Sequence, residues 1–175
     1  MIFNPLFCGR NEMSKIYIVG VVASGKTTMA KMLSEKLNIP WYELDSVVHV
    51  HTENGYYRRT PDEQIQEINR INTTGSWICE GVYRETHKCV LDLADEIIFL
   101  DPPLWIRKKR IFTRFIKQKL RIESCLYKPR IDMLKKMFEW TNDFENNRQK
   151  FENVLRAYEN KLIRISKISD YTKQK

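Results

Sequence analysis

No apolar run in the sequence approaches the ~20 residues needed to cross a bilayer, because charged residues interrupt every candidate. There is no C-x-x-C pair. Cys8, Cys79, Cys89 and Cys125 stand apart, and none has a histidine beside it at zinc-ligand spacing, which argues against a structural metal site. The cysteines read instead as free thiols in a reducing compartment. Nor is a secretory signal expected: Met1 to Phe7 is apolar but short, with no basic start and no clear small-residue cleavage site. The expectation is a cytoplasmic chain without membrane contact. Internal repeats, low-complexity tracts and linkers are absent, and so is an Asn-Lys-x-Asp guanine signature, which disfavours a GTPase-like switch.

What remains fits one globular domain. The chain has 175 residues, 42% hydrophobic and 30% charged, enough for a single well-buried core and too few for two. Its net charge of +8 is unevenly placed. Between Arg107 and Arg130 there are ten Lys or Arg against one acid, Glu123, so this segment alone exceeds the charge of the whole chain. A segment of that kind implies an anionic partner for itself rather than a uniformly basic protein.

The rest of the chain is organised around Gly20-Val21-Val22-Ala23-Ser24-Gly25-Lys26-Thr27, which reads G-x-x-x-x-G-K-T. Glycines let backbone wrap closely around phosphate oxygens, and the exposed N–H groups with the following helix N-terminus supply positive potential. Gly20, Ala23, Ser24, Gly25, Lys26, Thr27 and Thr28 are thus the expected nucleotide cradle. Lys26 adds a point charge for the β- and γ-phosphates, and the Thr27 hydroxyl can ligate Mg²⁺. The context agrees: the apolar run Ile16 to Val19 precedes the loop as a strand, and Met29, Met32, Leu33 and Leu37 mark one face of a helix after it.

Further strands are expected at about 41–44, 76–79, 96–100 and 161–165. Helices are expected at about 61–74, at 85–93, from Pro102 through the basic segment, and from 131 to 158 with a weakening at 142–147. Residues 46–60 read as an irregular mobile loop over the site, residues 1–12 as an N-terminal extension, and the tail after Ser169 as polar. Thr60-Pro61-Asp62-Glu63 carries the capping-box signal of a helix start. Strands alternating with helices give an α/β chain, a three-layer α/β/α P-loop NTPase fold with a five-stranded parallel sheet and a helical lid at about 115–135.

In such a sheet the ligand lies beyond the carboxyl ends of the strands, which selects Asp45, Glu80 and Asp101. A carboxylate there can hold Mg²⁺, the role expected of Glu80 with Thr27, or accept a proton from an attacking hydroxyl, the role expected of Asp45. Four residues past Glu80, Arg84 follows Gly81 and can turn back into the cleft as an anion clamp. Arg110 and Arg114 share a helix face, where two guanidinium groups can converge on one polyphosphate.

Taken together, the phosphate loop, the acid-Gly-x-x-Arg run at Glu80 to Arg84, the Asp101-Pro-Pro strand end and Arg110-x-x-x-Arg114 resemble the adenylate kinase-like nucleoside monophosphate kinases. Leu44-Asp45, Trp77 to Tyr83, and Trp140 further resemble the small bacterial topology modulation (FlaR-like) proteins. The resemblance implies an ATP- and Mg²⁺-dependent phosphotransferase acting on a nucleotide or small metabolite. In it Lys26 and Thr27 bind phosphate and Mg²⁺, Arg84 contacts the acceptor, Arg110 lies near adenine or phosphate, and Arg114 and Arg130 close on the transferring group. Glu80 stands where the pattern has Asp, and Tyr83 where nucleotide kinases have Pro. A nucleotide-dependent nucleic-acid binder using residues 107–130 is the alternative, and a monomer or homodimer is expected.

Overall fold

A computed structural model describes residues 14–52, 55–120 and 131–174. The expected N-terminal extension, Arg130 and the middle of the expected lid lie outside the described residues. Five parallel strands form the sheet: β1 (Lys15–Val19), β2 (Trp41–Glu43), β5 (Trp77–Gly81), β6 (Glu96–Leu100) and β7 (Leu162–Ile165), in the order β2-β5-β1-β6-β7. The chain passes to one side of β1 first and to the other later, which opens a crevice beyond its carboxyl end.

Strand alternation sorts the core into two layers. Ile16, Ile18, Ile78, Ile98 and Leu100 face α1 (Lys26–Leu37), through Met29, Ala30 and Leu33, and Tyr171 of α7 (Ile168–Gln174). The intervening Tyr17, Val19, Trp77, Cys79, Ile97 and Phe99 face the opposite layer. That layer contains α2 (Leu44–Val48), α3 (Pro61–Asn72), α4 (Lys88–Leu93) and α6 (Ile131–Arg156), with Phe151 and Leu155 of α6 buried in it. α5 (Leu104–Lys119) follows β6 and packs on α6. No helix among the described residues is long and apolar enough to cross a membrane.

The expected capping box at α3 is present: the Thr60 hydroxyl accepts from the Glu63 N–H at 3.3 Å, and the Glu63 carboxylate accepts from the Thr60 N–H at 2.7 Å. Three expectations are corrected. The second strand stops at Glu43, and residues 44–48 are helical. The supposed irregular loop is that helix plus an antiparallel hairpin, β3 (His49–Thr52) with β4 (Gly55–Arg58). Arg59 fastens the hairpin, donating from Nη1 to the carbonyls of Ser46 and Val47 at 2.9 and 3.0 Å, while His49 stacks on Tyr56 across the strands. Next, α6 is unbroken through 142–147, because Asn147 Nδ2 satisfies the Asp143 carbonyl inside the helix and Glu145 pairs with Arg148 one turn on. The polar tail lies in the helix α7, anchored by buried Tyr171, whose hydroxyl donates to Glu96 at 2.6 Å.

Candidate active site

The phosphate loop leaves β1 under tight steric control. A Cβ on Gly20 would lie 2.6 Å from the Leu100 carbonyl oxygen, so the loop can pass β6 this closely only without a side chain. Gly25 has φ +108°, a left-handed conformation that caps α1 and that a larger residue would adopt only with strain. The Lys26 ammonium donates to the Val21 carbonyl at 3.0 Å, curling back over the loop. Burial lowers its pKa, and the fields of Glu80 and Asp45 oppose that shift. Both carboxylates therefore act on the same ammonium.

Thr27 and Glu80 meet as the sequence suggests. The Thr27 hydroxyl donates to Glu80 Oε1 at 2.5 Å. Burial raises the Glu80 pKa, against the pull of Lys26 and the Thr27 hydrogen bond. A buried carboxylate and a hydroxyl in contact beside a lysine are hard oxygen donors of the kind Mg²⁺ takes through one or two protein groups plus phosphate oxygens. Among the described residues no cluster of three or more His, Cys, Asp or Glu is placed to hold a metal by itself. The donor set thus fits a cation shared with a nucleotide. Ser24 Oγ is buried with no hydrogen-bond partner, and Thr28 is exposed.

Asp45 and Arg84 are brought together across two strand ends. Asp45 opens α2 just beyond β2, and Arg84 Nη2 donates to its Oδ1 at 2.9 Å. Arg84 Nη1 is buried without a partner. Gly81 sets this spacing, since a Cβ there would stand 2.8 Å from Leu44 Cβ at the start of α2.

Arg110 reaches back to the phosphate loop. Arg110 Nη1 donates to the carbonyls of Ala23 and Ser24, at 3.2 and 2.7 Å, so it holds the crest of the phosphate loop. Arg114 lies one turn further along α5 and is exposed. The third strand-end acid, Asp101, is already committed: Arg148 clamps it with two hydrogen bonds, Nη1 to Oδ2 at 2.7 Å and Nη2 to Oδ1 at 3.1 Å. Arg107, counted in the basic segment, is fully buried and pairs with Glu145 and the Pro102 carbonyl. Two of the segment's cations, Arg107 and Arg110, therefore serve the protein's own groups.

Sequence reasoning missed two features. His87 is fully buried behind the Arg84 turn, and neither ring nitrogen has a hydrogen-bond partner. Burial, and then the charge of Arg84, push its pKa down to about 4. The second is a cavity of about 200 Å³ where β1 becomes the phosphate loop, walled by Tyr83, Phe144 and Phe151. In the sequence Phe144 and Phe151 share one helix face, but nothing local joins them to Tyr83.

No protein-family model matches the chain. A shikimate kinase from Flavobacterium psychrophilum is 34% identical over 77 residues, which cover 38% of this chain and 44% of that protein. A shikimate kinase from Aquifex aeolicus is 26% identical over 140 residues, 71% of this chain and 77% of that protein. The chain spans under half the length of the first curated relatives it matches, 44% and 47%. Among solved structures, the shikimate kinase from Acinetobacter baumannii in complex with shikimate superposes with a TM-score of 0.54 at 14% identity, over 93% of this chain and 91% of that one. The fold is that of the P-loop kinases. The likeness is one of three-layer α/β/α architecture.

Proposed function

We propose that the protein is an ATP-dependent kinase that phosphorylates a hydroxyl group on a small metabolite, with Mg²⁺. The observation that carries the reading is the pair of contacts at the strand ends beside the phosphate loop: the Thr27 hydroxyl donates to Glu80 at 2.5 Å, and Arg84 donates to Asp45 at 2.9 Å. Three strand ends thereby supply a phosphate cradle, a cation site and an acceptor site in one crevice. The matched shikimate kinases support a small-molecule acceptor. The likeness to adenylate kinase-like and topology modulation proteins supports the same donor chemistry.

In this reading the loop amides and Lys26 hold the nucleotide phosphates, and Arg110 keeps the loop in its binding conformation. Thr27 and Glu80 would hold Mg²⁺, which neutralises charge on the phosphate oxygens when bound. Arg84 contacts the acceptor as an anion clamp. Asp45 takes the hydroxyl proton as the acceptor oxygen attacks the γ-phosphorus and the bond to ADP breaks. Arg114 and Arg130 close on the transferring group, a contribution that is worth roughly 10³-fold or more in rate where an arginine reaches the transition state.

The test is ADP release from Mg-ATP with a panel of hydroxyl-bearing metabolites, shikimate and gluconate among them, and nucleosides and nucleoside monophosphates, with Lys26→Ala as the control. Acceptor-dependent ADP that disappears in the variant supports the kinase. Tight ATP binding with no acceptor-stimulated turnover across the panel counts against it.

A further inference from the structure

We propose that the outward face of α5 docks on a membrane surface containing anionic phospholipid, a role separate from the kinase reading above. The helical repeat sets the face. At about 100° per residue, Trp105, Phe112, Ile116 and, at the end of the helix, Leu120 fall in one stripe roughly 80° wide. All four are exposed, at 66, 54, 39 and 64%. The opposite side carries the helix's contacts with the protein: Arg107, Ile111 and Gln118 are buried, and Arg110 reaches the phosphate loop. Single exposed apolar side chains are ordinary, whereas four large ones aligned along one helix mark an interaction surface.

Charge selects the occupant. α5 holds no acidic residue. Its arginines, Arg107, Arg110 and Arg114, lie on the half of the helix away from the stripe, and its lysines lie about the stripe. Lys109 stands within it, Lys108 and Lys119 border it on one side, and Lys117 borders it on the other. Among the described residues no acid pairs with any of these lysines. Lysine stems lie along apolar surface while the ammonium groups reach past it. Lys119 already lies so, with Nζ 5.8 Å from the Phe115 ring centroid. A helix of this kind rests in the headgroup layer, its apolar side chains among the upper acyl chains and its ammonium groups against lipid phosphate. Each basic residue near an anionic bilayer strengthens partitioning roughly fivefold. A second copy of the chain fits the face less well, because two such faces bring like charges together. Nucleic acid would use the lysines and leave the stripe idle, since bases stack on rings and Ile116 and Leu120 offer none. A helix lying in the interface needs one apolar face rather than a spanning run, so the expectation of no membrane contact, drawn from the absence of such a run, does not extend to it.

The test mixes the full chain with phosphatidylcholine vesicles made with and without phosphatidylserine and reads binding by cosedimentation. Binding is expected to be about tenfold or more tighter with phosphatidylserine and to weaken as salt is raised. Trp105→Ser with Phe112→Ser should weaken it about tenfold or more, and so should Lys108→Gln with Lys109→Gln. These positions lie on the helix surface away from the nucleotide site, so ATP affinity should stay unchanged in both pairs. Lipids with brominated acyl chains should quench tryptophan fluorescence, and Trp105→Phe should remove most of that quenching, which identifies α5 as the element in the lipid. No binding to phosphatidylserine vesicles, binding unmoved by either pair, or quenching that persists in Trp105→Phe overturns the proposal. Two further outcomes overturn it in favour of another occupant. One is oligonucleotide binding that depends on the lysine pair and not on the aromatic pair, without vesicle binding. The other is self-association in lipid-free buffer that Phe112→Ser abolishes, as read by sedimentation velocity, again without vesicle binding.

Discussion

The Thr27 hydroxyl donates a 2.5 Å hydrogen bond to Glu80, joining the first turn of the helix after the phosphate loop to the neighbouring strand β5. The pair is built from two hard oxygen donors next to Lys26, and burial holds the Glu80 pKa above the usual carboxylate range. Glu80→Gln keeps the shape and removes the charge. We expect it to weaken Mg²⁺-dependent ATP binding by about tenfold or more, with little effect on the small Mg²⁺-independent component. Because the pKa is raised, the carboxylate loses its charge at a higher pH than an ordinary acid as pH falls. Mg²⁺-dependent binding should therefore decline on the acid side, and Glu80→Gln should flatten that limb. Calorimetric titrations with and without Mg²⁺ across pH check both statements.

The Arg84–Asp45 pair makes a different prediction, since Arg84 is 31% and Asp45 61% exposed. An ion pair open to water contributes about 1 kcal/mol at most. Arg84→Ala and Asp45→Ala should thus leave the unfolding midpoint nearly unchanged while removing most turnover. Arg84→Ala should raise the acceptor KM, and Asp45→Asn should lower kcat with a smaller change in KM. A large loss of stability in either variant would mark the pair as structural.

Arg110 and Arg114, one turn apart on α5, should separate in kinetics. Arg110 holds the Ala23 and Ser24 carbonyls, so Arg110→Ala is expected to weaken ATP binding by about tenfold through the loop. Arg114→Ala should lower kcat far more than ATP affinity. Equal losses of both parameters in Arg114→Ala would remove its assigned role in the transition state.

His87 contributes to the pH dependence of stability. Its folded pKa of about 4 lies below the ordinary value of 6.5, because burial and Arg84 disfavour the cation. The neutral ring is favoured in the fold, so the associated stability is fully present above about pH 6.5. It is lost as pH falls toward 4, to an extent of roughly 3 kcal/mol. Replacing two unpartnered ring nitrogens by an apolar side chain is near neutral or stabilising at pH 7. His87→Leu should accordingly flatten the stability profile between pH 6.5 and 4, as read from denaturant midpoints.

The sheet and the phosphate loop were legible in the sequence because their signals are local. A short apolar run before G-x-x-x-x-G-K-T fixes strand, loop and helix within a few residues, and Thr60 with Glu63 announces its helix through two hydrogen bonds. The hairpin at residues 49–58 was not legible in the same way. Its strands expose Tyr56 and Tyr57 and lack a clean inward face, although the Asn54-Gly55 dipeptide is a hairpin signal. Asp101 and Arg107 misled for a common reason. Their partners, Arg148 and Glu145, lie roughly forty residues away on α6, and charge counted along the chain cannot show that it is neutralised from another helix. The cavity was hidden likewise, since its walls come from the turn after β5 and from a helix sixty residues later.

The strand order also divides the crevice along β1. On one side, β5 with the three-residue edge strand β2, α2 and the hairpin present Asp45 and Arg84; on the other, α5 leans over the phosphate loop from beyond β6. The donor machinery is thereby built from central strands, and part of the acceptor machinery hangs from an edge. Substitution at that edge, around Asp45, is therefore expected to alter what is phosphorylated while the phosphate loop keeps its framework.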